Sequence, residues 1–104
     1  MEMIAATTAF AALGHADRLA VLRLLVATEP EGLPAGDIAA ALNLRPNTLS
    51  GHLNTLRRAG LICQRREGRI IRCRAAMPAL AALIDYLTED CCGGRPTLCR
   101  PEPR

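Results

Sequence analysis

The sequence predicts a mainly α-helical domain with one β-hairpin (an α+β fold), and three observations point there. Half of the 104 residues are hydrophobic but only 2% are aromatic, and alanine and leucine dominate, which favours packed helices over a β-sandwich. Apolar residues recur at helical spacing along several stretches. One segment, "LICQRREGRIIRCRA" (61–75), instead alternates loosely and folds around Glu67-Gly68, as a hairpin does. The length suits one domain with a modest core.

The elements follow in order. Residues 2–13 read as an alanine-rich helix whose larger apolar groups are Ile4, Phe10 and Leu13, broken by Gly14. A second helix runs over 16–28, with Leu19, Leu22, Leu25 and Val26 on one stripe and Asp17 near its N-terminus, where a carboxylate suits the helix dipole. "EPEGLP" (29–34) reads as a loop. A short helix from about Pro34 buries Ile38, Leu42 and Ala41. Pro46 then suits the first position of a helix over 46–59, with Leu49, Leu53 and Leu56 inward and Gly60 as terminator. After the hairpin, Pro78 opens a last helix over 77–90, with Leu80, Leu83, Ile84 and Leu87 on its apolar face. Helix, helix, short helix, helix, hairpin, helix is the order of a winged helix-turn-helix. Residues 1–90 are thus expected to form one winged helix-turn-helix domain, and 91–104 a flexible tail.

The charge is segregated. All 13 basic residues are arginine, and eight of them fall between Arg45 and Arg74 against a single acid, Glu67. That local balance of +7 within a net charge of +3 is the footprint of a polyanion-binding surface. No apolar run is long enough for a membrane span, and the N-terminus lacks a basic region before its apolar stretch, so no membrane contact is expected. Five cysteines, all after residue 62, do not make a secreted disulfide framework; a cytoplasmic protein with reduced thiols is expected.

On the helix from Pro46, the side opposite the three leucines carries Asn47, Gly51, Asn54, Thr55 and Arg58, with Thr48, Ser50 and His52 at its edges. Short hydrogen-bonding groups and a terminal cation suit the major groove, and Gly51 lets the backbone come close. Arg65, Arg66 and Arg69 surround the hairpin tip, where a wing reaches the DNA backbone or minor groove. Double-stranded operator DNA is the expected partner.

"LGHADRLAVLRLL", "LPAGDIAAALNLRPNTLSGHLNTLRRAGLI" and "RREGRIIRCR" together resemble the ArsR/SmtB family of metal-responsive winged-helix repressors, over roughly residues 10–90. The most specific part is "TLSGHL" ahead of "LRRAGLI", which places Thr48, Ser50 and His52 at matching positions of that family's recognition helix. The resemblance implies a homodimer, joined through its first and last helices and bound to a palindromic operator. Members that sense metals through the short third helix carry cysteines there; "LPAGDIAAAL" has none, and Arg45 stands where a Ser-type N-cap is usual.

The thiols lie in the tail, in "DCCGGRPTLC" (90–99). Gly93, Gly94 and Pro96 let the chain turn so that Cys99 can join Cys91 and Cys92. Three thiolates are incomplete for structural zinc but complete for trivalent arsenic or antimony, whose lone pair leaves three bonds in a pyramid. The pattern resembles the arsenite-responsive members with a site at the C-terminal end of the dimerisation helix. As(III) or Sb(III) is therefore the expected inducer, with no organic cofactor. The alternatives are a Zn/Cd-responsive repressor and a thiol redox or persulfide sensor on the same scaffold. A thiol reductase lacks both an acid–base partner and a βαβ pattern around the cysteines, so no enzyme is expected. Cys63 and Cys73 flank Gly68 symmetrically; a three-residue loop would make them cross-strand neighbours, and both are expected to be buried and reduced.

Overall fold

The computed structural model describes residues 1–89; the tail, with Cys91, Cys92 and Cys99, lies outside the described residues. The chain forms α1 (Met3–Leu13), α2 (Ala16–Ala27), β1 (Leu33–Pro34), α3 (Ala35–Leu42), α4 (Pro46–Arg58), β2 (Ile62–Glu67), β3 (Ile70–Ala75) and α5 (Met77–Thr88). It is a winged helix-turn-helix. No helix among the described residues is long and apolar enough to cross a membrane.

The expected loop 29–34 contains a strand. Leu33 and Pro34 pair with Cys73 and Arg72, so β1 joins β3 and the antiparallel sheet has the order β1-β3-β2. Gly32 makes this pairing possible. Its φ is +69°, and a Cβ there would stand 2.1 Å from the Cys73 carbonyl oxygen. Two residues are too few to show strand periodicity, which is why the sequence gives no sign of β1.

The core gathers Val21, Leu22 and Leu25 of α2, Ile38 of α3, the three leucines of α4, Leu61, Ile62, Cys73, Ala75 and Leu83 of α5. Each fully buried leucine contributes roughly 1.5–3 kcal/mol of burial energy. α4 ends as expected at Gly60, with φ +76°. The Gly60 amide donates to the Arg57 carbonyl and the Leu61 amide to the Leu56 carbonyl, with Leu56 and Leu61 both buried against the core. This is a Schellman closure, and it sets the direction in which the chain enters β2.

The inward faces differ from expectation at several positions. In α1 the buried residues are Ala6, Ala9 and Ala12, while Ile4 and Phe10 face outward. In α2, Val21 replaces Leu19 and Val26, which are exposed. In α3 the buried partner of Ile38 is Ala39, and Ala41 is exposed. The reason is common to all three: these helices are apolar on more than one side, so composition does not say which side meets the core. Arg18 fastens α1 to α2, its Nε donating to the Ala12 carbonyl at 2.6 Å, where a cation complements the C-terminal end of α1.

Candidate nucleic-acid interface

α3 and α4 make the helix-turn-helix. α3 stops at Asn43, which adopts the left-handed conformation with φ 54°, and Pro46 starts α4 after a short turn. Asn is among the few non-glycine residues that visit that conformation routinely, and the Leu44 amide closes the helix end onto the Ala39 carbonyl. Burying Leu49, Leu53 and Leu56 on one side of α4 leaves Asn47, Thr48, Ser50, Gly51, Arg57 and Arg58 exposed on the other.

The sides of α4 have different neighbours. Ser50, Gly51, Asn54 and Arg57 border a cleft of about 460 Å³ whose far wall is Gln64 and Ile71 of the hairpin. Arg57 donates to the Asn54 side-chain oxygen at 2.8 Å, which holds both over the cleft. Thr55 is half-buried and its hydroxyl donates to the Gly51 carbonyl of its own helix. His52 turns the other way, toward the start of α2. Its side chain is only 13% exposed and its Nε2 lies 3.7 Å from Asp17 Oδ2. The expected set on α4 thus divides into an outward group and one histidine packed against another helix. Arg57 and Gln64 are additions: Arg57 sits on the helix flank nearest the hairpin, and Gln64 is a polar residue on the strand face turned to α4. Neither position stands out until the hairpin is docked.

The hairpin closes with a two-residue turn, Gly68-Arg69, because Glu67 pairs with Ile70. Gly68 has φ +64°, the left-handed value that such turns place on glycine. Arg65 and Arg66, consecutive in the strand, face opposite sides, and the register sets which cross-strand residues each one meets. Arg66 shares its face with Gln64 and Cys73, toward α4, and its Nε donates to the Gly68 carbonyl at the tip. Arg65 lies on the far face, where it and Arg72 both bind the Glu67 carboxylate. Those guanidiniums, Arg72 foremost, hold the Glu67 carboxyl below the ordinary glutamate range. Arg69 is exposed in the turn itself. Arg66 and Arg69 therefore extend the outward surface of α4, and Arg65 belongs to an ion-pair cluster behind it.

The short turn also separates the two hairpin cysteines. Cys63 stands opposite Arg74, and Cys73 opposite Gln64. Cys73 is buried as expected, but Cys63 is exposed, a correction that follows from the two-residue loop. Shifting a strand by one residue exchanges its faces.

The Helix-turn-helix domain family matches residues 13–65, which run from the end of α1 into β2. The chain is 38% identical over 76 residues to the biofilm growth-associated repressor of Agrobacterium fabrum, covering 72% of this chain and 62% of that protein. It thus spans less than two thirds of that relative's length. An ArsR-like transcriptional regulator from Rhodococcus sp. RHA1 superposes with a TM-score of 0.69 at 29% identity, over 81% of this chain and 76% of that one. A homodimeric winged helix-turn-helix DNA-binding domain from Mycobacterium bovis gives 0.68 at 28% identity, over 85% and 82%. With the fold, the family match and these likenesses agreeing, the chain belongs to the helix-turn-helix domain family, within the ArsR family of winged-helix regulators.

Proposed function

We propose that this chain is a transcriptional repressor that binds double-stranded operator DNA as a homodimer and releases it when As(III) or Sb(III) is held by Cys91, Cys92 and Cys99. The observation that carries the DNA-binding part is the exposed face of Asn47, Ser50, Gly51 and Arg58 on α4, with Arg66 on the hairpin face turned to α4 and Arg69 exposed in its turn. Short polar groups on the helix suit base edges, and arginines on the wing suit phosphates. The name of the Agrobacterium relative supports the repressor reading, and the Mycobacterium domain supports the dimer.

The inducer reading rests on donor chemistry. Three thiolates in "DCCGGRPTLC" complete the pyramid of a trivalent arsenic or antimony ion, whereas zinc and cadmium ask for a fourth donor. The thiols follow closely on the end of α5, so an ion bound there acts through that helix and through a preference for one dimer arrangement. The protein would do this in the cytoplasm, where thiols stay reduced.

The test uses fluorescence anisotropy of a labelled operator selected from a random duplex library. Arsenite should release the DNA while zinc and peroxide do not, and Cys92→Ser should keep DNA binding but lose the arsenite response. Release by peroxide alone would assign the tail to redox sensing, and normal arsenite release in Cys92→Ser would remove the sensor from the tail.

A further inference from the structure

Two histidines and one carboxylate converge where α2 meets α4, away from the tail thiols and from the outward face of α4. His15 caps α2, Asp17 lies in its first turn, and His52 comes from the middle of α4. One donor atom from each lies within 4.8 Å of the others. The two imidazole rings are 4.6 Å apart at their centroids and tilted by 53°. At 3.7 Å, Asp17 Oδ2 and His52 Nε2 stand beyond hydrogen-bonding distance, so the three groups meet without closing onto one another.

We propose that His15, Asp17 and His52 form a binding site for a divalent transition-metal ion of the zinc, cobalt or nickel type. Two imidazoles and a carboxylate are the donors that borderline cations take, with the remaining positions left to water. Bonds of about 2.1 Å set tetrahedral ligands about 3.4 Å apart, so donors that lie within 4.8 Å of one another must draw together by at most about 1.4 Å. His15 is exposed and makes most of that movement once its ring gives up the Asp17 amide. The ion would bridge the N-terminus of α2 to the centre of α4, the helix proposed to read DNA. This site does not depend on the tail thiols or on the arsenite reading.

One consequence identifies coordination by these residues. His15 Nδ1 now accepts a hydrogen bond from the Asp17 amide at 3.1 Å. Coordination through Nδ1 takes that lone pair, and coordination through Nε2 moves the ring proton onto Nδ1. Either route ends the cap, so the Asp17 amide reports the binding directly.

The experiment titrates Zn²⁺ into the full chain carrying Cys91→Ser, Cys92→Ser, Cys99→Ser and Cys63→Ser, so that neither the tail thiols nor the exposed hairpin thiol compete. Nitrogen-15 NMR follows the His15 and His52 rings and the Asp17 amide. The expected result is a saturable shift of all three, at one zinc per chain, that is lost in Asp17→Asn and in His15→Gln. Both substitutions lie at exposed or half-exposed positions, and a zinc-free amide spectrum unchanged away from residues 15–17 verifies the fold. Absence of a saturable shift, or its survival in both variants, would overturn the site.

Discussion

Cys63 and Cys73 lie on paired strands yet face opposite sides of the hairpin, Cys63 outward opposite Arg74 and Cys73 inward opposite Gln64. The two thiols therefore meet different solvents. Burial pushes the Cys73 thiol above its ordinary value, offset in part by the Gln64 amide that donates to its sulfur. Under native conditions iodoacetamide should modify Cys63 quickly and Cys73 only after unfolding, as peptide mass mapping would show. Fast modification of both would contradict the register.

The same burial fixes a pH dependence. A thiol whose folded pKa is raised contributes stability that is complete below the ordinary value of 9.0 and is lost as pH rises through the folded value. The thermal midpoint should accordingly fall only as pH rises above 9.0, and the fall should shrink in Cys73→Ala. That variant should also be less stable at neutral pH by about 1 kcal/mol. Cys63→Ser should stay within about 0.5 kcal/mol of the parent, as surface substitutions do.

Gly32 tests the third strand. An alanine Cβ would collide with the Cys73 carbonyl oxygen at 2.1 Å and the Arg74 Cγ at 2.6 Å, at a φ that disfavours any side chain. Gly32→Ala should cost more than about 1 kcal/mol in urea unfolding. Gly36→Ala, with open space around its Cβ position, serves as the control and should not destabilise.

The wing arginines should separate by function. Arg66→Ala and Arg69→Ala should each lower the slope of log affinity against log salt by about 1 for duplex DNA. Arg65→Ala should change it less, because Glu67 already engages Arg65. Glu67→Gln should strengthen DNA binding by removing the hairpin's carboxylate. Since the Glu67 pKa is lowered, its ion pairs add stability above the ordinary glutamate value, lost as pH falls through the folded one. An unchanged salt slope in the Arg66 and Arg69 variants would remove the hairpin from the DNA interface.

Assembly can be probed without disturbing the core. Leu83 is 4% exposed, whereas Ile84 is 59% and Leu87 65% exposed on the outer side of α5. With Ile4 and Phe10 of α1, these residues are an apolar surface that a partner copy would cover. Leu87→Glu should give a folded monomer in sedimentation, and Leu83→Asp an unfolded chain. A monomeric parent protein at micromolar concentration would reject the dimer.

The sequence by itself determined the order of the five helices and the hairpin, the ends of α4 and the place of the hairpin turn. These depend on local chemistry: Pro46 starts a helix, Gly60 ends one, and Gly68 turns a strand wherever they fall. It also determined the concentration of arginine between 45 and 74. Only the tertiary structure decided which apolar side of α1, α2 and α3 is buried, since several sides of each could have served. The tertiary structure also decided that "LP" is a strand, because β1 exists only through β3. It set the loop at two residues, which puts Cys63 opposite Arg74 on the exposed face and pairs Arg65 with Arg72 beside Glu67. His52 shows the difference most clearly. Its helix and its place at an edge are legible from the spacing of the leucines, but its neighbours His15 and Asp17 come from α2, more than 30 residues earlier. Contacts of that range follow from how the helices pack, and no local pattern encodes them.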